Sequence, residues 1–75
     1  MTLAEKIAAL VAVQPGLSEA QIAQRIYGAE GYPQMVNSKC RRLLQEGRIR
    51  REGQGYRTDP FTYHPPRIDK DASNE

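Results

Sequence analysis

The chain has no tryptophan, one phenylalanine, one cysteine and one histidine in 75 residues. A lone cysteine cannot close an internal disulfide, and one Cys with one His cannot complete a structural zinc site. Long hydrophobic runs are missing too. The longest, Ile7 to Val13, spans seven residues, far below the ~20 that cross a bilayer. Its flanks lack the basic segment and cleavage site of a secretory signal. These absences fit a soluble, reducing, cytoplasmic setting. Aromatic residues make up 7% and apolar residues 39% of the chain, enough for one thin core expected to yield ~3–5 kcal/mol. A second domain, or a roomy substrate pocket with its own supporting shell, is not expected.

What the chain does have is positive charge gathered in one place. The formal net charge is only +2, but from Asn37 to Thr58 seven Lys and Arg stand against two Glu. Residues 59–75 reverse the balance, with two basic and four acidic side chains. A basic block of this kind suits an anionic partner, of which nucleic acid is the commonest. A solvated face that keeps the protein soluble explains the charge alone equally well.

The pattern of apolar residues predicts three helices and a hairpin. Thr2-Leu3-Ala4-Glu5 reads as a capping box, and Leu3, Ile7, Leu10 and Val11 then repeat at helical spacing until Pro15-Gly16. Ser18-Glu19-Ala20-Gln21 is a second box, with Leu17 and Ile22 placed as a hydrophobic staple. Ile22, Ala23 and Ile26 form the buried face of that helix, and Gly28 ends it. A third helix is expected from Pro33 to Glu46, closed by Gly47. At ~100° per residue, Val36, Cys40, Leu43 and Leu44 share its core arc. The opposite arc holds Gln34, Ser38, Arg41, Arg42 and Gln45, with Asn37 and Lys39 on its borders and Glu46 at its edge. Solvated helix faces usually mix both signs of charge; this arc offers amide, hydroxyl and guanidinium groups.

After Gly47 the period changes to two. Arg48 to Glu52 and Tyr56 to Thr58 flank Gly53-Gln54-Gly55 and read as a hairpin with a three-residue loop, Ile49 and Tyr56 pointing inward. Phe61 and Tyr63 can return in an extended segment to cover the core. The domain is expected to span residues 1–63, with 64–75 a disordered polar tail. His64 reads as a solvated loop residue and Cys40 as a small buried hydrophobe. Tyr27 and Tyr32 flank the turn between the second and third helices, where packing is one reading and a phenol against a phosphate the other. No paired carboxylates, nucleophile set or metal constellation stands out. No catalytic residue, metal or cofactor is therefore assigned, and an enzyme contained within these residues is not expected.

Three helices followed by a basic hairpin, a mainly α architecture with a small β element (α+β), resemble the winged helix-turn-helix domain over roughly Thr2 to Tyr63. The resemblance lies in Leu17 to Ile22 opening the second helix, Val36-Asn37-Ser38-Lys39-Cys40-Arg41-Arg42-Leu43-Leu44 as the third, and Gly47 to Glu52 entering the wing. It implies that helix 33–46 lies in the major groove of double-stranded DNA and that the wing, 48–58, sits on the phosphate backbone. Gln34, Asn37, Ser38, Arg41 and Arg42 are then the base-facing candidates. Lys39, Arg48, Arg50, Arg51 and Arg57 are the backbone-facing ones. The chemistry suits these roles: Arg can donate two hydrogen bonds to guanine, and Gln or Asn can pair with adenine. Cations along the wing gain by releasing counterions whatever the sequence.

The third helix is also similar to that of Z-DNA-binding winged-helix domains in Val36-Asn37, Leu43 and Gly47. That family has a Tyr where Arg41 stands here and a Trp in its wing, so its stacking surface is missing. The expected function is a DNA-binding transcription regulator or targeting module, nucleoid-associated and monomeric by default, with dimer formation left open. Two alternatives stand beside it: an adaptor whose Arg-rich wing meets an acidic protein, and the N-terminal targeting domain of a larger enzyme.

Overall fold

The computed structural model describes residues 1–66. They form three α-helices and one two-stranded antiparallel sheet, a mixed α+β arrangement. Helix α1 spans Leu3–Val13 and α2 spans Glu19–Tyr27. Both open on the capping boxes read from sequence. Thr2 Oγ1 accepts from the Glu5 amide while the Glu5 carboxylate accepts from the Thr2 amide, and Ser18 and Gln21 repeat the exchange.

The third helix differs from its expected extent. Pro33–Met35 is a single 3-10 turn, and α3 proper spans Asn37–Gln45. Between them Val36 leaves helical geometry, at φ −124° and ψ −10°. The amides of Met35 and Val36 bond three residues back, to Tyr32 and Pro33, and only at Cys40 does the four-residue pattern begin. Two packing demands account for the break. Gly31 presses so close to α2 that a Cβ on it would stand 2.3 Å from the Ala23 carbonyl oxygen, and Val36 must reach the core, where it is fully buried. A tighter turn satisfies both.

The hairpin also differs. Strand β1, Arg50–Glu52, pairs with β2, Thr62–His64, in the register Arg50 to His64, Arg51 to Tyr63 and Glu52 to Thr62. Tyr56–Thr58 is not the partner strand. It belongs to a long loop, folded on itself through a bridge between Tyr56 and Asp59. The Asp59 carbonyl accepts from the amides of Gln54, Gly55 and Tyr56. Gly53 is required at the start of that loop, with φ +99° and the Pro60 carbonyl where a Cβ would be. Tyr56, expected inward, is 65% exposed, whereas Tyr63 is fully buried. A ladder with Tyr56 would have buried one apolar side chain among basic ones; the chosen register puts Tyr63 into the core instead. Strand β2 is bonded on its other side as well: the Tyr63 amide donates to the Leu17 carbonyl and the Gly16 amide to the Tyr63 carbonyl.

The core is one cluster: Ile7 and Val11 of α1, Ile22 and Ala23 of α2, Val36, Cys40 and Leu43 at α3, with Leu17, Ile49 and Tyr63. Every expected stripe contributes to it, with Leu3, Leu10, Ile26 and Leu44 packed at its margin. His64, read from sequence as a solvated loop residue, is instead the last residue of β2 and largely covered, its ring nitrogen 2.9 Å from the Thr62 hydroxyl. The rest of the expected tail, residues 67–75, lies outside the described residues. Among the described residues no helix is long and apolar enough to cross a membrane.

Candidate nucleic-acid interface

The outer face of α3 is built by helical spacing alone. Ser38, Arg41, Arg42 and Gln45 lie three or four residues apart, are exposed, and form one contiguous patch. Asn37, the first residue of α3, is half-buried beside it. Gln34, expected on the same helix, stands on the 3-10 turn instead; it is exposed but belongs to a separate segment. Lys39 and Arg42 turn toward the start of α1, where with Arg48 they line a cleft of about 410 Å³.

The ribbon divides its cations between two faces. Residues directly opposite in an antiparallel pair share a face, and successive residues alternate. Arg50 therefore lies with Glu52, His64 and Thr62, and it is ion-paired to the Glu52 carboxylate. The same carboxylate lies 3.5 Å from the His64 ring. Arg51 projects to the other face, beside Tyr63, with its guanidinium carbon 3.9 Å from the centre of the Phe61 ring. That face is tied to α2: the Tyr63 hydroxyl donates to Glu19 at 2.6 Å. Burial and this bond push the Tyr63 phenol upward, with the Arg51 guanidinium acting against them. Arg57 is exposed in the loop between the strands.

Acids among these cations were the part that sequence reading underrated. Glu46 pairs with Arg42 at 3.2 Å and lies 3.7 Å from Arg48, and Glu52 pairs with Arg50. The i,i+4 spacing of Arg42 and Glu46 was a readable signal. The Arg50–Glu52 pair needed only the period-two rule, but the Arg51–Phe61 stack needed the loop. Lys39, Arg41 and Arg57 form no ion pair among the described residues. The ten nominated side chains thus fall into an α3 patch, a cleft at the α1 end, an outer ribbon face and an exposed loop. Gln34 stands apart on its turn, and Arg51 is stacked on Phe61.

Cys40 is buried, and desolvation first, then the charge of Glu19, pushes its thiol from the ordinary 9.0 up to about 12. Such a group stays protonated and unreactive at neutral pH. Among the described residues no three His, Cys, Asp or Glu side chains are grouped to hold a metal ion. Against known proteins, no family model, no curated sequence and no solved structure matches this chain.

Proposed function

We propose that the chain is a winged helix-turn-helix domain that binds double-stranded DNA, with α3 in the major groove and the β1–β2 ribbon and its loop against the phosphate backbone. The observation that carries this reading is the α3 patch. Ser38, Arg41, Arg42 and Gln45 are exposed together on one helix face, no Asp or Glu occurs within α3, and Glu46 follows at its C-terminal end. A helix of this width fits the major groove, and guanidinium and amide groups match the donor and acceptor pattern of base edges there. The order of elements supports the fold assignment: three helices, then a ribbon whose second strand also bonds to the α1–α2 connection. Arg41 is the base-reading candidate with Ser38 and Asn37, while Lys39, Arg42, Arg48, Arg50 and Arg57 bear on phosphates. Fluorescence anisotropy with a mixed-sequence duplex tests the proposal. Saturable binding at 50 mM salt that weakens at 200 mM salt is expected; no binding at the lower salt rejects it.

A second reading, docking to an acidic protein, is favoured by one specific observation. Tyr27, Tyr32 and Tyr56 are all exposed, and tyrosine is enriched at protein interfaces. It requires that capture of the partner survive nuclease treatment and that Arg41→Ala leave duplex affinity unchanged.

A further inference from the structure

Three cations of the candidate surface, Lys39, Arg42 and Arg48, line one half-open cleft whose opposite wall is Leu3 and Ala4 at the start of α1. The remaining charged group lining it is Glu46. Its two oxygens are divided between two guanidiniums: Oε2 accepts from Nε of Arg42 at 3.2 Å, and Oε1 lies 3.7 Å from Nη1 of Arg48. A carboxylate shared in this way occupies the place that a phosphate oxygen pair would take between the same two forks. The i,i+4 spacing supports the pair with Arg42, but the end of the helix disfavours an acid. Glu46 is the C-cap of α3, at the negative end of the helix dipole, where cations are stabilising and carboxylates are not. The side chains remain open to solvent, Arg42 most of all at 70% exposed, so both pairs are weak and exchangeable.

We infer that this cleft is a phosphate seat, filled in the free protein by the Glu46 carboxylate and in the bound protein by a phosphate group that bridges Arg42 and Arg48 with Lys39 as the third cation. The inference rests on the DNA reading only for the source of that phosphate, a backbone phosphodiester. Binding moves no proton. The carboxylate swings away into water, and its remaining repulsion toward the incoming phosphate holds affinity below what the three cations alone would give.

Glu46→Gln keeps the size of the side chain and removes its charge, so it isolates this effect. Two probes are used, a short mixed-sequence duplex and inorganic pyrophosphate, the latter followed by NMR at the arginine Nε signals under matched ionic strength. Glu46→Gln is expected to bind the duplex about five- to tenfold more tightly at 50 mM salt, with a salt slope steeper by about one. Pyrophosphate is expected to shift the Arg42 and Arg48 signals of the unmutated protein, and to do so at lower concentration in the variant. Where the unmutated protein binds the duplex, unchanged or weaker binding by a Glu46→Gln protein that melts normally overturns the inference. So does pyrophosphate that leaves Arg42 and Arg48 unmoved in the unmutated protein, whatever the variant does. Shifts at those two arginines without any duplex binding keep the seat and remove the DNA reading.

Discussion

Adjacent residues on a strand project to opposite faces, and in β1 this separates two arginines that look equivalent in sequence. Arg50 shares the outer face with Glu52 and His64, whereas Arg51 stacks over Phe61 on the side of the buried Tyr63. Truncating Arg51 should therefore act on stability, by ~0.5–1 kcal/mol for a surface cation–π contact, read as a fall of several degrees in Tm, with duplex affinity intact. Arg41→Ala should do the reverse. With no carboxylate partner to release, it should leave Tm unchanged, cost ~1–3 kcal/mol on a preferred site and blur preference there. Equal losses on preferred and random duplexes would place Arg41 on the backbone instead. Cys40 gives a prediction in pH. Its thiol ionises near 9.0 when unfolded and only near 12 when buried. Its contribution is full below about pH 9 and is lost as pH rises toward 12, because the unfolded state then gains by releasing the proton first. Burial and the Glu19 bond raise Tyr63 in the same direction, with the same sign. The urea midpoint should be flat below about pH 9 and fall above it, less steeply in Cys40→Ala.

At the scale of elements, the helices are fixed by local bonds and the ribbon by distant ones. Ser18 supplies the cap of α2, so Ser18→Ala should lower stability by ~1 kcal/mol in a thermal melt. Gly31→Ala should be worse, ~1–3 kcal/mol, because the added methyl meets the rigid backbone of α2. Strand β2 depends on Tyr63, which fills the core and joins Leu17, Arg51 and Glu19. Phenylalanine at this position keeps the ring and loses the hydroxyl's interactions with Glu19 and Arg51. Tyr63→Phe should stay folded with a loss of ~1–3 kcal/mol. Tyr63→Ala removes the ring as well, ~3–5 kcal/mol, comparable to everything a core of this size yields. Circular dichroism should show that variant unfolded at room temperature; a cooperative melt near that of the parent would mean the ribbon is not part of the folding unit.

For the whole molecule, the proposed DNA binding turns on how many cations can meet a polyanion at once. Lys39, Arg41 and Arg57 form no ion pair among the described residues, Arg42, Arg48 and Arg50 are paired to Glu46 or Glu52 at the surface, and Arg51 stacks on Phe61. If four or five of these reach phosphates, log affinity should fall with log salt at a slope of roughly −4. Arg57→Ala should lower that slope by about one while weakening all duplexes alike. A slope near zero would mean that contacts other than phosphate contacts dominate.

Composition and periodicity alone determined the presence of three helices, both capping boxes and the helical stripes of the core, because each depends on spacing within a few residues of chain. Thr2 with Glu5, Ser18 with Gln21, and the stripe of Val36, Cys40 and Leu43 needed no knowledge of the rest of the molecule. The basic character of residues 37–58 was equally plain. Tertiary structure alone decided which cations stand together. The break at Val36, the passing over of Tyr56 for Tyr63 as the buried ring, and the stacking of Arg51 on Phe61 all follow from competition for one small core between segments far apart in the chain. Charge count is a property of composition, but the direction of each charge is set by what that core accepts.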